Sequence, residues 1–528
     1  MRIGFALSLL TCLLHGRLVA QSIFPPAIEW QRSFGGTNDD RLRVLCQLAD
    51  GGFLLGGFSN SDPASGASGN KTAAALGDYD FWIVRLDAAG NRLWDRSFGG
   101  TNEDVLFSLQ PTHDGGFILA GYSASGTSGN KSTGNYGGYD FWVLRLDSAG
   151  NKVWERDLGG TGDDFGRSVC QTADGGFLVG GQSLSAPSGN KTAALFGTND
   201  FWIVRLNASG GIDWDRSFGG TGADRLQSLE QTSDGGFILG GVSLSGVSGN
   251  KASAGYGLND YWLVRLDAAG NKLWDRTFGG TDNDELLSVQ QTSDGGFILG
   301  GFSWSDINGN KTSRNYGVSD FWVIRTDGGG NKLWEQTFGG RESDSARSLQ
   351  QTRDRGFIIG GISASGTSGM STKTSPYYGG IADFWVVRLD AAGVALWQQS
   401  FGGLGDDGIW SLQHTADGGF VFGGGSDSSP GGNKTSANFG SYDFWVVKQA
   451  PDAARLRVVP QTAIEIRQNG FRLSLFGVSN NVYRSEYTSN WITWVPFQTN
   501  QITATEMSVL DRGATNAPQR HYRARLLP

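Results

Sequence analysis

Apolar and polar positions alternate along this chain in short runs, and the runs recur. One unit reads Leu273-Trp274-Asp275-Arg276-Thr277-Phe278-Gly279-Gly280, then Ser288-Val289-Gln290-Gln291-Thr292, the turn Asp294-Gly295-Gly296, and Phe297-Ile298-Leu299-Gly300-Gly301. A longer polar loop runs from Gly309-Asn310-Lys311-Thr312 to Asp320 and ends in Phe321-Trp322-Val323-Ile324-Arg325. The runs are short, rich in β-branched and aromatic residues, and bounded by Asp-Gly or Gly-Asn turns, which predicts four strands per unit. No helical period is sustained. Equivalents of Trp274 stand at Trp30, Trp94, Trp154, Trp214, Trp334 and Trp397, at spacings of 64, 60, 60, 60, 60 and 63 residues.

Four-stranded units in series predict the blades of a β-propeller. Several strands are apolar on both faces, as expected for a sheet pressed between two others. Glycine pairs such as Gly300-Gly301 let backbones crowd together. The ends carry the closure. The first unit opens with the Trp30 strand and has no Phe-Trp strand before it; the last ends with Phe444-Trp445-Val446-Val447-Lys448 and has no Trp strand after it. Pairing the two completes a seventh blade and leaves no exposed sheet edges at the two ends of the series. The expected fold is all-β: a seven-bladed propeller closed by both termini, followed by a small β-sandwich.

Composition then divides the chain. Residues 1–20 read as a secretory signal peptide, with Arg2, an apolar stretch from Ile3 to Leu14, and Leu18-Val19-Ala20 as the cleavage site. Residues 21–450 are the propeller, 451–454 a linker and 455–528 a C-terminal module. No later stretch is long and apolar enough for a membrane span. Net charge is −8, from 51 acidic and 43 basic residues, which argues against a nucleic-acid partner. The module carries nine Arg against four acids, so the rest of the chain is the more acidic part. Cys46 and Cys170 occupy one column two blades apart, too far for a disulfide, and are expected to be free and packed.

The recurring Asp-Phe-Trp-Val-Val-Arg-Leu-Asp-Ala-Ala-Gly, Phe-Gly-Gly, Gln-Thr-x-Asp-Gly-Gly-Phe and Gly-Gly-x-Ser resembles the β-propeller repeats of secreted and surface proteins of bacteria and archaea. The resemblance covers Trp30 to Gln449 and implies fold and location, since that family shares no one activity. The shorter Asp-x-x-Gly-x-x-x-Trp (Asp87 to Trp94, Asp147 to Trp154, Asp267 to Trp274) is similar to the tryptophan-docking repeat of quinoprotein dehydrogenases. Those enzymes usually have eight blades, and many carry adjacent cysteines; this chain has neither, and no quinone or other cofactor is expected. The module resembles small C-terminal β-sandwiches of exported bacterial proteins, with Trp491 and Trp494 in its core.

Chemistry is sparse. His113, His414 and His521 are scattered and make no metal-ligand cluster. No nucleophile–base set stands at suggestive spacing. An Asp recurs in all seven units (Asp40, Asp104, Asp164, Asp224, Asp284, Asp344, Asp407), which fits turn hydrogen bonding better than acid–base work. The turn Asp282-Asn283-Asp284 lacks a full set of oxygen ligands for calcium. The sixth unit departs from the rest, with Arg341, Arg355, three inserted residues, Met370 in place of the Asn-Lys pair, and Tyr377-Tyr378.

The long loops carry the candidate ligand-binding residues: Asn130, Lys131, Tyr136 and Asp140; Asn190, Lys191, Phe196 and Asp200; Asn250, Lys251, Tyr256 and Asp260; Asn310, Lys311, Tyr316 and Asp320. An aromatic face beside amide, ammonium and carboxylate is what sugar recognition uses, and repeated weak sites gain by multivalency. In the alternative, Asn makes an Asx-turn, the ring caps the blade edge and Asp anchors the next strand. The expectation is a monomeric, secreted or cell-surface binding or scaffold module, without catalytic residues or metal. Its partner would be a polysaccharide or a surface protein. The alternatives are a polysaccharide-active enzyme with its site at the channel mouth and a purely structural surface repeat.

Overall fold

The computed structural model of the protein describes residues 25–65, 69–451, 455–458, 471–476, 482–488, 495–501, 506–511 and 521–526. Seven four-stranded antiparallel sheets form the blades of the propeller. In the first, the strands Asp40–Gln47, Phe53–Ser59, Asp80–Leu86 and Arg92–Phe98 lie side by side in chain order. The first strand of each sheet touches the first strands of both neighbours, so these strands ring the central axis: Asp40–Gln47 lies between Asp104–Pro111 and Asp407–His414. Closure follows the expected pairing. Ile28–Phe34 pairs antiparallel with Asp443–Gln449, Trp30 opposite Lys448 and Phe34 opposite Phe444.

The two-faced apolar strands account for the packing. Trp82, Trp142, Trp202, Trp262, Trp322, Trp385 and Trp445 are fully buried, and each meets an aromatic ring of the preceding blade. Phe81–Trp142, Phe201–Trp262 and Phe384–Trp445 have ring centroids 4.7, 4.7 and 4.6 Å apart, and Trp82–Phe444 repeats the contact across the closing blade at 4.5 Å. Each such pair contributes about 0.5–1.5 kcal/mol beyond its buried area. The inner strands carry a bulge after their third residue, between Leu42 and Val44 in the first blade. Gly57 sits beside it, so close to the Arg41 carbonyl that no side chain fits.

The outer Trp residues dock on the next blade. Trp94 lies against Gly150 and Trp154 against Gly210, in hairpin turns where φ is +80° and +81° and the missing Cβ leaves room for the indole. Cys46 and Cys170 are free and buried, and burial pushes both thiols up to about 12. Beyond the propeller, six strands among the described residues form two three-stranded antiparallel sheets: Arg455–Val458, Phe471–Phe476 and Glu506–Asp511, and Val495–Gln501, Val482–Thr488 and His521–Leu526. The expected leader 1–20, most of the expected linker, and Trp491 and Trp494 lie outside the described residues. Among the described residues no helix is long and apolar enough to cross a membrane.

Candidate functional site

Each long loop starts at the end of the ring that carries the Phe-Gly-Gly turns and drapes over the outermost strand of its own blade. In the first five blades an acid on that strand receives it, and in the sixth and seventh Gln398 and Gln31 accept from the Thr374 and Thr435 amides. The Asp95 carboxylate accepts from the Thr72 and Ala73 amides at 2.9 and 2.8 Å, and Glu155 accepts from the Ser132 amide at 2.7 Å. The same acids accept from the buried indoles, Trp82 to Asp95 and Trp142 to Glu155, both at 3.1 Å. Part of the unpaired outer edge is thereby covered. The acids escaped the sequence reading, although one follows directly after Trp94, Trp154, Trp214, Trp274 and Trp334.

Three members of each candidate set turn inward. Asn130 accepts from the Gly99 amide at 3.0 Å and donates to the Ser97 carbonyl at 2.9 Å, tying the loop to the Phe-Gly-Gly turn. Asn190, Asn250 and Asn310 do the same on Gly159, Gly219 and Gly279. Lys131, Lys191, Lys251 and Lys311 are buried. Lys131 donates to the Ser125 carbonyl and to Asp157, both at 2.8 Å, the latter a fully buried ion pair. Lys191 donates to the Ala193 carbonyl at 2.7 Å, Lys251 to Thr277 Oγ1 at 2.7 Å and Lys311 to the Ser313 carbonyl at 2.6 Å.

Asp140, Asp200, Asp260 and Asp320 are buried and accept the backbone amide of the loop aromatic: Phe196 to Asp200 at 2.6 Å, Tyr256 to Asp260 at 2.8 Å, and likewise Tyr136 to Asp140 and Tyr316 to Asp320. Burial, opposed by those hydrogen bonds, pushes Asp140, Asp260 and Asp320 up to about 7 and Asp200 up to about 6. The amide, ammonium and carboxylate expected to line a sugar site are therefore engaged within the blade.

The rings remain for a ligand. Tyr136, Phe196 and Tyr256 are 47%, 37% and 40% exposed, and Tyr316 is half-buried. One side of Tyr136 lies against Gly189 of the next blade. Beside it opens a groove of about 460 Å³ between the second and third blades, lined by Asn135, Tyr136, Arg156, Asn190, Gly210 and Ile212. On the loop-bearing end, Leu184, Leu244 and Trp304 occupy one column in three consecutive blades, and all are exposed.

The sixth blade keeps the repeat geometry with different residues. Thr372 and Lys373, not Met370, replace the Asn-Lys pair: Thr372 Oγ1 accepts from the Gly339 amide at 2.8 Å, and Lys373 donates to the Ser365 carbonyl at 2.6 Å. Tyr378 takes the place of the loop aromatic, its amide on Asp383 at 2.6 Å.

Symmetry breaks elsewhere, at the bulged fourth position of the strands around the axis. From the first blade to the seventh this column reads Arg43, Phe107, Arg167, Gln227, Leu287, Arg347 and Trp410. Arg43 lies 3.8 Å from the Trp410 ring and 5.2 Å from Phe107; Arg167 lies 4.0 Å from Phe107, and Arg347 lies 4.5 Å from Trp410. This column lies outside the departures evident in the sequence among the His residues, the acids and the loop of the sixth unit. Among the described residues no group of three or more His, Cys, Asp or Glu is placed to hold a metal ion.

No family model matches the chain. A regulatory protein of Caulobacter vibrioides, FlaEY, is 30% identical over 252 residues, 45% of this chain and 25% of that protein, so the chain spans about a quarter of its length. Among solved structures, a protein proposed to be a gluconolactonase aligns at 10% identity, covering 82% of this chain and 97% of its own, with a TM-score of 0.33. A puromycin hydrolase aligns at 12% identity over 84% of this chain and 60% of its own, with a TM-score of 0.39. A luciferin-regenerating enzyme aligns at 6% identity over 64% and 90%, with a TM-score of 0.32. These likenesses concern the fold alone. The expectation that the chain is not an enzyme is corrected here, since the solved structures that align with it are described as enzymes.

Proposed function

We propose that the chain is exported and that its propeller binds an extracellular or cell-surface ligand through the long-loop side of the ring, with polysaccharide as the first candidate. The observation that carries this reading is the repetition of partly exposed rings, Tyr136, Phe196 and Tyr256, held in one position on successive blades by buried Asp residues. A ring fixed by its backbone loses little freedom on stacking against a sugar, and several weak contacts on one rigid body add their effect. The groove beside Tyr136 supplies polar atoms at its wall through Asn135 and Arg156.

A protein partner is the second reading. The adjacent Leu184, Leu244 and Trp304 favour it, as an exposed apolar stretch of this kind marks contact surfaces. The name of the Caulobacter relative, a regulatory protein, agrees with it. The surface-repeat resemblance and the leader support export, and the C-terminal module belongs to the same reading as an attachment or packing element. Binding of residues 21–528 to a glycan array, beside a variant with Tyr136, Phe196 and Tyr256 changed to Ala, tests the first reading. Signal lost in the variant supports it. A blank array from folded protein refutes it and turns the search to protein partners, with Trp304→Ala as the variant that should weaken their capture.

A further inference from the structure

The column around the axis holds an electrostatic imbalance that the fold does not explain. Arg43, Arg167 and Arg347 stand on the strands around the axis in the first, third and sixth blades, with Phe107 and Trp410 between them. Among the described residues none of the three has a side-chain ion pair or hydrogen bond. Nε and Nη1 of Arg43 and Nε of Arg167 and Arg347 are buried without a partner. The neighbouring cations are matched: Arg41 pairs with Asp39 and Arg225 with Glu285, at 3.3 and 3.4 Å. Burial first, then the charges of Arg167, Arg347 and Arg41, presses the Arg43 guanidinium well below its ordinary value. Burial lowers Arg167 and Arg347 also, with the Glu285 charge working against it at Arg347.

Phe107 and Trp410 separate the three cations and flank them with ring faces. Stacking of this kind offsets part of the desolvation, but it leaves the in-plane N–H groups unsatisfied. A half-buried charge without a counter-ion is costly, and a chain of net charge −8 gains nothing in solubility by keeping three of them around its axis.

We propose that the channel is an oxyanion site: Arg43, Arg167 and Arg347 converge on a carboxylate, phosphate or sulfate group at the axis, with Trp410 and Phe107 as its apolar walls. Guanidinium N–H forks match such oxygens geometrically. The site is separate from the loop rings, and its ligand is either a free anion or the acid group of a larger molecule such as a uronate.

Calorimetric titration of residues 21–528 with phosphate, sulfate, citrate and glucuronate, each against chloride at fixed ionic strength, tests the proposal. One saturable site is expected for at least one oxyanion, and the tightest binder identifies the source. Arg43→Gln should weaken it about tenfold, and Arg43→Gln with Arg347→Gln should abolish it. Arg96→Gln on an outer strand and Tyr136→Ala on the rim should leave it unchanged, which separates this site from the loop reading. The difference in fluorescence between wild type and Trp410→Phe should shift with anion at the same midpoint; this needs no change of charge and stands if the glutamine variants fail to fold. No saturable binding above chloride, binding that survives the double variant, or binding without a Trp410 signal would overturn the assignment.

Discussion

The loop-bearing rim and the channel column are built from the same repeat and obey different rules. On the rim, Asn, Lys, Asp and the Trp-paired acid recur and are joined to one another: Asn130 to the Gly99 turn, Lys131 to Asp157, Asp140 to Tyr136, Glu155 to Trp142. Around the axis the residues change from blade to blade, and three cations have no counter-ion or hydrogen-bond partner among the described residues. Rim residues meet the same Phe-Gly-Gly turn and the same outer-strand position from blade to blade, so one arrangement is reused with exchanges such as Thr372 for Asn and Thr277 for Asp157. The axial residues face chiefly one another, and the repeat places no common demand on them. Repetition of the buried polar groups reports structural need; the exposed rings that they leave over and the departures around the axis are what point to ligands.

Breaking a rim ion pair should have the largest effect. Lys131→Met leaves Asp157 buried and unpaired, at an expected cost of about 3–5 kcal/mol in urea unfolding. Lys251→Met, whose Thr277 partner is neutral, should cost less. Equal losses would mean that the Lys131–Asp157 charge pair has no special weight.

Acidity should rank next. Burial raises Asp140, Asp260, Asp320, Asp383 and Asp443 to about 7, above an unfolded value near 3.9. The folded chain therefore holds extra protons between about pH 4 and pH 7. That contribution is complete below the unfolded value and is lost as pH rises through the folded one. The melting temperature should be higher at pH 5.5 than at pH 8. The opposite order would show that these carboxylates are better solvated than their burial indicates.

The channel should respond in the opposite sense to the rim. Arg43→Met removes a charge without orphaning a partner, so in chloride buffer it should stabilise the fold by about 1 kcal/mol. A large loss instead would assign Arg43 a structural role and erase the contrast. The smallest effect concerns the sixth blade, where Arg355 takes φ 62° at a turn position that is Gly in its counterparts. Arg355→Gly should stabilise by about 0.5–1 kcal/mol in the same assay; no change would mean that the turn carries no strain.

Much of the architecture was legible beforehand. The spacing of Trp30 to Trp397 announces seven units, and the orphan strands at the two ends announce closure, because a sheet edge with a missing partner at each terminus has one economical resolution. The candidate loops were found but only partly understood. The sequence shows Asn310, Lys311, Tyr316 and Asp320 as one polar cluster; it does not show that Lys311 is buried against the Ser313 carbonyl while the Tyr316 amide holds Asp320.

Local pattern determined strand number, turn type and blade order, because these depend on which residues neighbour each other along the chain and alternate across a pleat. Tertiary structure alone decided which polar groups face water and which face each other, since that depends on a loop folding back over its own outer strand. It also brought together Arg43, Arg167 and Arg347, more than 100 residues apart at each step. Ring closure places them around one axis, and charges so distant along the chain meet only where the backbone returns on itself.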